Sequence, residues 1–135
     1  MNTEAKRHTV KLICSASIFA LVSVIFVHSS SAAEFPGTGH KFIADFKKFR
    51  FEQSYTSSSS LKYTALNSDG SRGASDTVTV RTQEVAGSVY MVSWQEANKA
   101  TVVQIQDYGR KSIYTNLTLP DGTFIQLEGT FVPAE

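Results

Sequence analysis

Thiol chemistry is all but missing from this chain: its single cysteine, Cys14, lies inside an apolar N-terminal run from Leu12 to Val27. If that run is removed, disulfides, thiolate catalysis and cysteine-ligated metals go with it. Histidine is nearly as scarce, with only His40 beyond residue 33, and a lone histidine does not build a zinc or iron site. Neither sign of charge dominates. Beyond residue 33 there are ten basic and eleven acidic side chains, so no basic excess remains to hold nucleic acid or an anionic membrane. The one basic knot, Lys47, Lys48 and Arg50, reads as a solvated strand face or a protected sheet edge. The nucleophile elbow, the phosphate loop and the dinucleotide fingerprint are also missing. Nothing in these residue types calls for a cofactor.

The N-terminus has the order expected of an exported chain. A basic stretch with Lys6, Arg7, His8 and Lys11 leads into the 16-residue apolar run, which ends in "HSSSAAEF". Small residues at Ser31 and Ala33 fit cleavage ahead of Glu34, which predicts a signal peptide over 1–33 and a secreted or periplasmic product without a membrane anchor. A cut one residue earlier fits nearly as well, and a retained anchor is the competing reading of so short a run. Cys14 is preceded by Ile13, not by the small residue that lipidation wants. The mature product, 34–135, would be 102 residues long, the size of one domain, and it must be stable by packing alone.

Beyond the signal, apolar residues recur with a period of two and no long window carries a helical stripe, which predicts an all-β domain. Expected strands are Lys41–Ala44, Phe46–Tyr55, Leu61–Leu66, Thr77–Glu84, Ser88–Gln95, Thr101–Tyr108, Ser112–Leu119 and Thr123–Val132. Turn chemistry separates them: the Ser57–Ser60 run, "NSDG", "AG", "EANKA", "GRK" and "PDG". Links this short join antiparallel neighbours, and strands with one apolar face each bury those faces by closing into a small up-and-down, lipocalin-like barrel of about eight strands, with a sandwich as the alternative. The polar stretch Ser68–Thr77 is expected to be a mobile lip at the barrel mouth. "NLT" at Asn116–Thr118 matches a glycosylation acceptor, relevant only on a eukaryotic secretory route.

The more apolar alternate set of each strand should face inward: Phe49, Phe51 and Tyr55; Leu61, Tyr63 and Ala65; Val78 and Val80; Tyr90, Val92 and Trp94; Val103 and Ile105; Ile113, Leu117 and Leu119; Ile125, Leu127 and Phe131. Two of these rows run on into a carboxylate, Glu96 after Trp94 and Asp107 after Ile105. Both residues also border turns, where a carboxylate in water is ordinary. An ionised carboxylate inside the barrel must pair, meet water, bind a ligand or keep its proton. Arg72 and Arg81 are the available partners. A lining of this kind suits a small, largely apolar or aromatic ligand. Its expected contacts are Tyr63, Arg72, Tyr90, Trp94, Glu96 and Asp107, with the oligomeric state left open.

"FPG" at Phe35–Gly37, "VYMVSWQE" at Val89–Glu96, "VVQIQDYGRKSIYTNLTLPDGTF" at Val102–Phe124 and "LEGTF" at Leu127–Phe131 resemble the MoaF-like domain of the calycin superfamily. That resemblance implies an eight-stranded lipocalin-like barrel without assigning a biochemical role. "VYMVSWQE" is also similar to a strand of the phenolic acid decarboxylases, calycin lyases that bind hydroxycinnamic acids inside the barrel. This likeness implies a pocket position for Glu96 and, on the alternative reading, a role as general acid or base in a lyase or isomerase. The substrate-orienting tyrosines of those enzymes fall on Phe42 and Ala44, and their arginine is approached by Arg72. A third reading is a non-catalytic interaction domain with a filled barrel and an exposed apolar patch.

Overall fold

A computed structural model describes residues 33–135; the expected signal peptide lies outside the described residues but for Ala33. The alternating pattern resolves into nine strands: β1 (Lys41–Asp45), β2 (Arg50–Ser57), β3 (Ser60–Leu66), β4 (Arg72–Thr79), β5 (Arg81–Ala86), β6 (Val89–Gln95), β7 (Thr101–Asp107), β8 (Ser112–Thr118) and β9 (Phe124–Pro133). They form one curled antiparallel sheet in the order β4-β3-β2-β1-β9-β8-β7-β6-β5. The described residues are thus all-β, as the period of two predicts.

Sequence neighbours pair throughout except at two places. The first and last of the nine strands meet, with Phe42 opposite Pro133 and Ala44 opposite Phe131. Gly129 makes this close approach possible: a Cβ there would run into the backbone carbonyl of Asp45. The other exception is at Val80. The expected strand Thr77–Glu84 is divided there, because Thr79 still pairs with Ser60 on β3 while Arg81 already pairs with Ser93 on β6. Val80 itself is buried and donates its N–H to the Ser59 carbonyl at 2.9 Å. One bent segment therefore serves both margins of the sheet and curls it on itself.

The expected mobile lip is corrected as well. Arg72–Thr79 is strand β4, with only Val78 buried. A strand paired along one side and solvated on its faces shows no apolar alternation, so its sequence looks like a loop. Conversely, Phe46–Phe49 is a turn and not the start of β2. Phe46 N–H donates to the Phe49 carbonyl at 2.8 Å, and Lys47 takes a left-handed φ of 70°. The "PDG" turn forms as read: Gly122 N–H donates to the Leu119 carbonyl at 2.9 Å, with Gly122 at φ 85°.

The registers put the turns 46–49, 67–71, 96–100 and 119–123 at one end of the barrel. The N-terminal segment 35–40, the 57–59 turn and the 108–111 turn lie at the other.

Candidate functional site

The two ends of the interior differ. At the N-terminal end an aromatic cluster fills the barrel. The Phe35 ring meets Tyr55, Tyr90 and Tyr108 edge-on at centroid distances of 4.9, 5.3 and 6.0 Å. Phe42 stacks on Phe131 at 4.7 Å, and Tyr108 stands edge-on to both. Edge-to-face contacts of this kind add to the burial of large apolar areas, and the result is a plug.

Above the plug lies a layer of buried amides. Gln53, Gln104 and Gln106 are 2%, 3% and 0% exposed. Gln106 Nε2 donates to the Tyr55 hydroxyl at 2.7 Å and to Gln104 Oε1 at 2.8 Å, with Gln53 Oε1 at 3.2 Å. Gln53 Nε2 donates to Gln104 Oε1 at 3.2 Å, and the Tyr108 hydroxyl donates to Gln106 Oε1 at 2.8 Å. Polar groups this deep persist because they satisfy one another. Burial pushes the Tyr55 and Tyr108 hydroxyls well above the ordinary tyrosine range, so both stay protonated and keep a hydrogen to donate.

Between this layer and the opposite end is a cavity of about 280 Å³. Its walls are Phe46, Phe51, Tyr63, Trp94, Val102, Leu117, Ile125 and Leu127; Gln53, Gln104 and Thr115 give it a polar floor, and Phe49 and Glu96 stand at the mouth. Thr115 is buried and its hydroxyl oxygen has no hydrogen-bond partner among the described residues. Phe49 is 53% exposed, on the turn that forms one side of the opening. A second, more open depression of about 470 Å³ at the plugged end is bordered by Ala33, Glu34, Phe35, Thr38, Ser57, Ser58, Thr82, Glu84 and Tyr90.

Glu96 continues the inward row of Tyr90, Val92 and Trp94 to the rim of the cavity. Two neutral donors hold it. The Tyr63 hydroxyl donates to Oε2 at 2.6 Å and Trp94 Nε1 donates to Oε1 at 2.7 Å. The Tyr63 and Trp94 rings are tilted at 32° with centroids 6.3 Å apart, each turning its donor edge to the carboxylate. Burial first, then the hydrogen bond to Glu96 and the charges of Glu96 and Asp76, push the Tyr63 hydroxyl far above its ordinary range. Tyr63 is therefore a fixed donor. A carboxylate follows three apolar side chains here because its own strand and β3 supply the hydrogens that replace water.

Of the residues singled out in the sequence, Tyr63, Trp94 and Glu96 meet in this cavity. Tyr90 belongs to the plug. Arg72 lies outside the barrel, 59% exposed, with Nη2 at 2.6 Å from Glu52 Oε2. Asp107 faces away from the interior and caps the turn after β7, accepting the Arg110 N–H at 2.8 Å. Its position follows from a correction to that strand: the inward row is Val102, Gln104 and Gln106, while Val103 and Ile105 are only partly buried. The more apolar set is the wrong guide here, because Gln104 and Gln106 find their partners on β2. A usable signal was the tyrosine at the end of the glutamine row, since Val102, Gln104, Gln106 and Tyr108 alternate as strictly as the apolar set. Among the described residues no group of three or more His, Cys, Asp or Glu is placed to hold a metal ion.

Comparison with curated proteins yields no match. Among solved structures, a crystal structure from Burkholderia vietnamiensis described as "a putative beta-lactamase" is 26% identical, with a TM-score of 0.68; the alignment covers 76% of this chain and all of that one. The cavity described above has no serine, lysine or histidine in its lining. Residues 38–132 match the MoaF-like family, spanning the sheet from the N-terminal segment to the end of β9. With that match over most of its length and a calycin-like barrel around an aromatic cavity, the chain belongs to the MoaF-like family.

Proposed function

We propose that this protein is exported and that its barrel binds one small, mostly apolar or aromatic ligand. The observation that carries the reading is the cavity: about 280 Å³, just below the range for ligand pockets of roughly 300–1,000 Å³ and so sized for a small ligand. It is walled by aromatic and aliphatic side chains, has a few convergent polar groups and is closed below by amides and a plug. A cavity of this make-up weighs against a packed interaction domain. Export rests on the N-terminal sequence pattern.

The lyase reading has weaker support. The positions corresponding to the substrate-orienting tyrosines of phenolic acid decarboxylases hold Phe42 and Ala44, both buried in the core, and both oxygens of Glu96 accept hydrogen bonds from the protein. That arrangement suits anchoring more than proton transfer.

Native mass spectrometry of the protein purified from a host that exports it is the test. The expected result is a chain shortened by the signal peptide and carrying one small molecule that leaves on unfolding. A chain that stays empty there, and whose Trp94 emission does not respond to a broad aromatic and lipid panel, would refute the binding reading.

A further inference from the structure

Resting on that reading, we infer that the ligand is an organic cation, an ammonium group carried on an aromatic or alkyl tail. Glu96 is the one charged side chain that lines the cavity, and both groups that hold it, Tyr63 and Trp94, are neutral donors. Among the described residues, the ion pairs join Asp45 to Arg50, Glu52 to Arg72 and Asp107 to Arg110; none neutralises Glu96. Asp76, opposite Tyr63 on β4, is exposed and lies outside the lining. The one charge in the cavity wall is therefore that of Glu96, and no arginine, lysine or histidine stands in its lining to compensate.

The two rings that bond the carboxylate strengthen the case. The faces of tryptophan and tyrosine attract a cation within about 6 Å of the ring centroid, and Tyr63 and Trp94 both line the cavity while turning their O–H and N–H edges to Glu96. Each oxygen of Glu96 accepts one bond from the protein, and a carboxylate has room for about four. An incoming ammonium group can bond the free lone pairs while its tail lies against Phe51, Leu117 and Leu127. A carboxylic acid at the same place would put two negative charges together in a half-buried site, where solvent screens them less than at the surface. Lysines exist at the rim, Lys47 and Lys48 on one turn and Lys99 on another, but all three are exposed. Their charges are largely screened by water and salt.

Three probes of one shape separate charge from shape: phenethylammonium, phenethyl alcohol and phenylacetate, each titrated against the emission of Trp94, the one tryptophan in the chain. The ammonium is expected to bind at least about tenfold more tightly than the alcohol, with phenylacetate weakest. Glu96→Gln should reduce the ammonium's advantage over the alcohol to about threefold or less. Glu128→Gln, which removes an exposed carboxylate of β9 outside the cavity lining, should preserve that advantage and so separate the charge in the cavity from the net charge of the protein. Equal or tighter binding of the alcohol or the acid would overturn the cation and leave a hollow binding barrel standing. Silence from all three probes overturns it too, and an empty native mass spectrum beside that silence would remove the binding reading with it.

Discussion

Gln106 is fully buried and touches every member of the amide layer beneath the cavity. Gln106→Leu keeps nearly the same volume, so the cost falls on the hydrogen bonds and not on a void. The Tyr108 hydroxyl loses its acceptor, while the Tyr55 hydroxyl still donates to Gln53 Oε1 at 3.3 Å and Gln104 Oε1 keeps the bond from Gln53. Leaving one buried polar group short costs about 1–3 kcal/mol, which gives a loss of about 2 kcal/mol. For a domain of this size each kcal/mol moves Tm by about 4–8 °C, which predicts a fall of roughly 8–16 °C in a thermal scan followed by circular dichroism. The partner arithmetic can be tested separately. In a Tyr108→Phe background the orphaned hydroxyl is already gone, and the same substitution should cost on the order of 1 kcal/mol less. A single variant that melts within about 4 °C of the parent, or a double variant with no coupling, would show that the amides are spectators in an adaptable core.

Arg72→Ala should lower stability by about 1 kcal/mol in a denaturant titration, the upper end for a surface pair, since Arg72 is 59% exposed while its partner Glu52 is only 12% exposed, and should leave Trp94-detected binding unchanged; a large loss of affinity would place Arg72 in the site. Tyr55, Tyr63 and Tyr108 all have folded-state values raised above the ordinary tyrosine value of 10. The stability they contribute is fully present below about pH 10 and is lost as pH rises beyond it, because the unfolded chain gives up those protons first. Urea midpoints should therefore hold steady from pH 7 to about pH 9 and fall at higher pH, more steeply than in a Tyr108→Phe variant; identical slopes would contradict the burial argument. These pH bounds are set by the tyrosine reference value of about 10.

How far the sequence could be read depended on how local each signal was. The alternation of Tyr90, Val92, Trp94 and Glu96 is contained in seven residues, and the structure carries it to the cavity rim unbroken. The partners of Glu96 were harder to see: Trp94 is two residues away, but Tyr63 is thirty-three away across the barrel. Charge complementarity suggested Arg72 instead, and Arg72 spends its charge on Glu52 outside. The glutamine layer failed for the same reason. Gln104 and Gln106 look solvent-facing until Gln53, fifty-one and fifty-three residues earlier, is brought opposite them. β4 was missed because a pairing partner, not an apolar face, makes it a strand.

β9 occupies the middle of the sheet, between β1 and β8, although it is the last of the nine strands in sequence. Without it the sheet falls into two four-stranded meanders, β1 to β4 and β5 to β8, tied to each other by the bend at Val80. Each meander is built from near-neighbour hairpins that can form early, whereas the seam between them needs contacts spanning almost the whole domain. β9 therefore acts as a keystone: a folding chain holds two half-shells until β9 docks, and a variant lacking Phe124–Pro133 has an opened cavity and two bare sheet edges, on β1 and β8.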